Sequence, residues 1–229
     1  MPDPLHLVVF DNDGVLVDSE RLSSSTLARV LNGFGVPATP AQCRRDFTGF
    51  PVTLVRTVVE ARMRAVLPVS FEAVYASELA EVFGRELAPS AGVPALLDVL
   101  DERGIAYCVA SNGTRQRLEM SLRAAGLLER FAGRMFSVEQ VARPKPAPDL
   151  FLAAAGTLRI PPAECLVVED TPTGITAANA AGMFAWAPAS TYPADELPGV
   201  DRISPTMADL GRELRAELDS RAAARAGRG

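Results

Sequence analysis

Two carboxylates separated by one residue, in Asp11-Asn12-Asp13-Gly14, stand directly behind the apolar run Leu7–Phe10. Acids this close repel and need a cation or a lysine nearby. On their own they read equally well as capping or turn aspartates before Gly14. Three further segments, each at the end of another apolar run, shift the balance toward chemistry. Ser111-Asn112-Gly113-Thr114 offers a hydroxyl and main-chain N–H groups at the start of a helix, which suits phosphate oxygens, although Ser and Asn are also ordinary N-caps. In Arg143–Asp149, Lys145 lies among Pro144, Pro146 and Pro148. The prolines are expected to fix an extended segment and confine the direction of the lysine, as a lysine bridging a nucleophilic carboxylate and a phosphoryl group requires. The run Leu166–Val168 then ends in Glu169 and Asp170. Magnesium takes oxygen ligands in an octahedron and keeps several waters. Asp11, the main-chain carbonyl of Asp13 and Asp170 could supply half of such a shell, with Glu169 bound directly or through water.

The elements that must position these groups alternate. Leu7–Phe10, Ile105–Ala110, Leu166–Val168 and Met183–Ala187 read as buried parallel strands. Helical stretches at Pro94–Arg103, Arg115–Ala125, Asp149–Leu158 and Gly174–Ala181 separate them, which implies an α/β fold with a covered parallel sheet. Ligands bind such folds beyond the C-terminal ends of the strands. From Asp18 to about Pro89 the pattern is helical throughout. Leu27, Val30, Leu31 and Phe34 form one apolar face, and Phe71, Val74, Tyr75, Leu79, Val82, Phe83 and Leu87 form a longer one. The chain is therefore expected to be a Rossmann-like core, 1–17 and 90–229, interrupted by a helical cap at 18–89 that closes as its own small bundle. Val15–Ser19 and Leu87–Gly92 are the connections that could hinge it. A last amphipathic helix carries Met207, Leu210, Leu214 and Leu218, and Arg221–Gly229 reads as a disordered tail.

Composition removes several classes of function. Of 229 residues, 48% are hydrophobic and 22% charged, with a net charge of −5. That balance argues against a nucleic-acid partner, and no apolar run is long enough to cross a bilayer. Met1-Pro2-Asp3-Pro4 lacks the basic and apolar regions of a signal peptide, so the cytoplasm is the expected compartment. Cys43, Cys108 and Cys165 lack paired spacing, and Cys108 and Cys165, in or beside apolar runs, are expected to be inert core residues. The single histidine, His6, has no second imidazole with which to build a metal site. Carboxylates, lysine and backbone must carry the chemistry.

Taken together, the four segments resemble the four motifs of the haloacid dehalogenase superfamily, in its phosphatase branch with a helical cap after the first motif. The resemblance runs from Leu7 to about Pro188. It implies that Asp11 is the nucleophile that forms an aspartyl-phosphate. Asp13 then corresponds to the acid that protonates the leaving oxygen and, as base, activates water. Ser111 and Lys145 correspond to phosphate-binding positions, with Asn112 and Gly113 beside them, and Asp11, Asp13, Glu169 and Asp170 to the magnesium site. Asn12 departs from the apolar residue usual between the two aspartates, and Thr171 from serine. The expected substrate is a small phosphate monoester bound by a monomer, and Glu20, Ser23, Thr48 and Phe50 are the cap positions expected to select it. Glu20 is the one charge among them, which suggests a sugar or polyol. The alternative is a phosphomutase of the beta-phosphoglucomutase type, whose cap carries an arginine and a histidine where Val52 and Ser23 stand here. Without those cations, hydrolysis is the better reading on charge complementarity. A dehalogenase would lack Asp13, and a phosphorylation-receiver domain would lack the helical insertion.

Overall fold

A computed structural model describes residues 1–63, 66–189 and 192–226. Strand β1 (Leu7–Phe10) is followed by four helices, α1 (Glu20–Gly33), α2 (Pro40–Phe47), α3 (Val52–Met63) and α4 (Phe71–Glu86). Alternation then resumes with α5 (Val93–Glu102), β2 (Ala106–Ser111), α6 (Arg115–Ala124), β3 (Met135–Ser137) and α7 (Asp149–Leu158). The chain continues through β4 (Cys165–Val168), α8 (Pro172–Ala180), β5 (Phe184–Pro188), β6 (Arg202–Ser204) and α9 (Met207–Ala226). The strands pair in the order β3-β2-β1-β4-β5-β6, all parallel.

Successive side chains of a strand point to opposite faces, and here both faces are buried. Val8 and Phe10 pack with α5, α6 and α9, while Leu7 and Val9 pack with α7 and α8. β1 sits centrally, with Phe10 level with Val109 of β2 and Val168 of β4. The Asp11 N–H still reaches the Val168 carbonyl at 2.9 Å, so the strand geometry carries into the first catalytic candidate.

Three expectations need correction. The sheet has two strands beyond the four read from the sequence, β3 and β6. The tail is not irregular: α9 runs to Ala226, where Arg221 donates to the carbonyls of Met1 and Pro2 and Arg225 pairs with Asp3. Only 227–229 of that expected tail lie outside the described residues. The α4 stripe also divides instead of turning wholly inward on the cap. Phe71 joins Leu27, Val30, Leu31, Val55 and Val59 in a cap cluster, whereas Leu79, Val82, Phe83 and Leu87 join the cluster beneath the sheet. The two connecting segments run side by side, with Asp18 N–H bonded to Ala88 O and Ser90 N–H to Leu16 O. Cys43, Cys108 and Cys165 are all buried.

Candidate active site

The four segments meet at the C-terminal ends of β1, β2 and β4. Asp11 is 8% exposed, and Lys145 Nζ donates to its Oδ1 at 2.6 Å and to Glu169 Oε1 at 2.8 Å. The ammonium also lies 4.8 Å above the centre of the Phe151 ring, on α7. Burial would lower the lysine pKa, but Asp11 and Glu169 together hold it above its ordinary value. Burial pushes the Asp11 carboxyl up to about 7 despite Lys145, and the charge of Glu169 pushes the same way.

Lys145 is not held in an extended segment as the prolines suggested. Ala147 N–H bonds to Pro144 O at 2.9 Å and closes a turn around it. Asn112 fixes the lysine backbone from the opposite loop, accepting from Lys145 N–H at 3.0 Å and donating to its carbonyl at 3.2 Å. The Asn112 side chain is thereby engaged, so its offer to a phosphate is its main-chain N–H. Ser111 is the last residue of β2, and its Oγ accepts from Gly113 N–H at 3.1 Å.

Glu169 is nearly inaccessible, and both its oxygens are taken. Oε1 faces Lys145, and Oε2 accepts from Thr171 N–H at 2.8 Å and Thr171 Oγ1 at 2.9 Å. Thr171 also caps α8 by accepting from Gly174 N–H. A Cβ on Gly174 would lie 1.9 Å from the Glu169 carboxyl carbon, so only glycine lets this helix approach so closely. As placed, Glu169 orients Lys145 and is not poised as a direct metal ligand.

Asp13 has its own partners. Ser19 Oγ donates to its Oδ1 at 2.5 Å, and Arg117 Nη2 donates to the same oxygen at 3.2 Å. Burial alone would raise its pKa, but the charge of Arg117 and the Ser19 hydrogen bond take it below the ordinary carboxylate value. Asn12, the departure from the apolar pattern, is buried and donates to Ser121 Oγ on α6 at 3.0 Å. Glu20 opens α1 and accepts from Thr48 Oγ1 at 2.9 Å, so two predicted cap residues meet. Burial, then the charge of Asp13, raise the Glu20 pKa against the opposing pull of Thr48, Arg117 and Arg44. His6 lies at the other end of β1, paired with Glu164 at 2.6 Å, and takes no part.

Sequence reading missed Arg117. It meets Asp13 across 104 positions of chain, which no local pattern encodes. One signal was present. Arg115 and Arg117 occupy the first turn of α6, where the helix dipole disfavours cations, so each calls for an anion nearby. Arg115 finds Glu119 at 2.6 Å, and Arg117 finds Asp13.

The donor set suits a hard cation. Asp11, Glu169 and Asp170 are buried carboxylates, and Asp13 is partly buried beside them. Among the described residues, no three His, Cys, Asp or Glu side chains group to hold a metal by themselves. Asp11, Asp170 and the Asp13 carbonyl would therefore hold magnesium together with waters and phosphate oxygens, the mixed shell that ion prefers.

A family model described as haloacid dehalogenase-like hydrolase matches residues 5–182. The chain is 34% identical over 183 residues to a probable pseudouridine-5'-phosphatase of Drosophila melanogaster, covering 76% of this chain and 78% of that protein. It is 30% identical over 180 residues to 6-phosphogluconate phosphatase of Escherichia coli (strain K12), covering 78% and 80%. A solved haloacid dehalogenase-like protein of unknown function from Agrobacterium tumefaciens str. C58 superposes with a TM-score of 0.79 at 31% identity, covering 93% and 99%.

Proposed function

The chain belongs to the haloacid dehalogenase-like hydrolases as a phosphoric monoester hydrolase, and we propose that it is a magnesium-dependent sugar or polyol phosphatase working through an aspartyl-phosphate on Asp11. The observation that carries this reading is the buried Lys145 ammonium 2.6 Å from Asp11 Oδ1, beside the Ser111 loop. A carboxylate attacking a phosphate dianion is opposed by charge, and a fixed ammonium at that oxygen screens the approach. Bound magnesium would supply Lewis-acid polarisation of the phosphoryl oxygens.

Asp11 attacks phosphorus in line as the ester P–O bond breaks. Asp13, ionised beside Arg117 in the free site, must take up a proton as the anionic ester binds next to it, and gives that proton to the departing oxygen. Water then attacks the aspartyl-phosphate, gives a proton to Asp13 and releases phosphate, so both aspartates are restored. Ser111 Oγ and the Asn112 amide would hold equatorial oxygens, joined by the Gly113 amide once it releases Ser111 Oγ. Glu20 and Thr48 offer hydrogen bonds to a hydroxylated leaving group. The relatives' sugar-phosphate names support that class, and the cap lacks the mutase cations at Val52 and Ser23.

A panel of sugar, polyol, nucleoside and aryl phosphates should give metal-dependent phosphate release, strongest on a sugar or polyol ester. Chelation or Asp11→Asn should abolish it. Release that survives either change would defeat the mechanism, and interconversion of hexose 1- and 6-phosphates would favour the mutase.

A further inference from the structure

Arg117 touches three parts of the site that move chemistry. Its guanidinium donates to Asp13 Oδ1 at 3.2 Å, with the two side chains 32% and 22% exposed. It also lies 5.7 Å above the centre of the Phe83 ring. Phe83 is fully buried on α4, part of the helical insertion. The aliphatic stem of Arg117 passes the phosphate loop: a Cβ on Gly113 would lie 3.6 Å from Arg117 Cδ and 3.4 Å from Ser111 Oγ. A guanidinium seated on an aromatic face has a restricted set of positions. Ser19 holds the same carboxylate oxygen from the connection to the cap, so Asp13 is fixed from both sides.

We propose that Arg117 is the positioning residue for Asp13, using its seat on the Phe83 ring to aim the carboxyl at the oxygen that gains or loses a proton. This rests on the reading of Asp13 as acid and base given above. In the first displacement the ester P–O bond breaks and its electron pair takes the Asp13 proton. That transfer matters most when the departing oxygen is strongly basic, and little when it leaves as a stable phenolate. Loss of aim therefore shows as a leaving-group dependence, with the phosphoryl group and the ring held constant.

The test uses the full chain with magnesium and a series of ring-substituted phenyl phosphates, from phenyl to nitrophenyl. General acid catalysis contributes ~10²–10⁴-fold, so Arg117→Met should lower kcat/KM for phenyl phosphate by roughly 10- to 100-fold while barely affecting the nitrophenyl ester. Arg117→Lys should fall between, since it restores the charge without the planar fork. The ratio of two esters measured on one preparation does not depend on the folded fraction. An equal loss on all esters, a loss confined to KM, or no loss overturns the proposal. Asp13→Asn separates the two ideas. If it steepens the leaving-group dependence and Arg117→Met does not, only the role of Arg117 fails. If Asp13→Asn leaves the dependence unchanged, the acid reading fails with it.

Discussion

Lys145 is a charge that burial alone would make unfavourable, at 6% exposure, and it persists because two carboxylates meet it. Removing one partner of a buried pair leaves the others uncompensated, at about 3–5 kcal/mol. Lys145→Met should therefore lower the urea midpoint substantially and reduce kcat by roughly 10²- to 10³-fold, the range for a lost transition-state donor. A variant with wild-type stability would show that Asp11 and Glu169 do not depend on the ammonium. Asp11 itself predicts a pH effect of definite sign. Its folded pKa is raised from 3.8 to about 7, mainly by burial and further by Glu169, against Lys145. Between those values the folded protein holds a proton the unfolded chain has lost. Stability of the metal-free protein should thus fall as pH rises through that window, at up to about 1.4 kcal/mol per unit. Asp13, with its pKa lowered, acts oppositely and at lower pH. Asp11→Asn cannot ionise, so in metal-free buffer it should lack this pH dependence, and its thermal midpoint should shift upward relative to wild type as pH rises through that window, whatever the offset from its lost contact with Lys145. Parallel curves across this range would refute the assignment. At this scale, the acids and Lys145 were legible because their types and neighbours are local. Arg117, the Asn12–Ser121 pair and the grip of Asn112 on Lys145 were not, since each joins residues brought together only by the sheet.

At the scale of elements, α8 shows how one glycine sets the reach of a helix. Glycine inside a helix ordinarily costs roughly 0.5–1 kcal/mol relative to alanine. Gly84 is exposed on α4, and a Cβ added there would meet nothing within 4 Å, so Gly84→Ala should follow that rule and raise the thermal midpoint slightly. Gly174→Ala should do the reverse, because its Cβ would fall 1.9 Å from the buried Glu169 carboxyl. Displacing either α8 or Glu169 is of the overpacking kind, about 1–3 kcal/mol, and moves the oxygen that orients Lys145. Activity should fall with stability in this variant and not in Gly84→Ala; equal behaviour of the two would contradict the close approach. The elements were legible in proportion to their apolar length. β1, β2, β4 and β5 stand out as runs of buried residues. β3 and β6 have three residues each, too few for any period to register, and β6 opens on Arg202, which stacks 4.1 Å from the centre of the Trp186 ring. The prolines around Lys145 pointed to rigidity but not to its shape, because proline favours extended segments and turns alike.

At the scale of the whole molecule, apolar packing does not respect the division into core and cap that the sequence suggests. A cap with an independent interior would unfold by itself, at a stability set by its own small cluster. Here Leu22, Leu79, Val82, Phe83 and Leu87 are buried in the same cluster as Val8 and Phe10 of the central strand. Their helices α1 and α4 also frame the cap cluster around Phe71, so loss of either cluster strips support from the other. Two native probes report on the two ends. Trp186, the single tryptophan, is fully buried on β5, and Cys43 is buried on α2 within the cap cluster. Fluorescence of Trp186 and the labelling of Cys43, followed by mass spectrometry, should give coincident urea transitions, the test of a cooperative two-state unit. Exposure of Cys43 at clearly lower urea would mean that the cap opens as a separate unit. Coincidence would instead mean that the two clusters unfold as one unit, as helices shared between them and the paired connections Leu16–Asp18 and Ala88–Ser90 require.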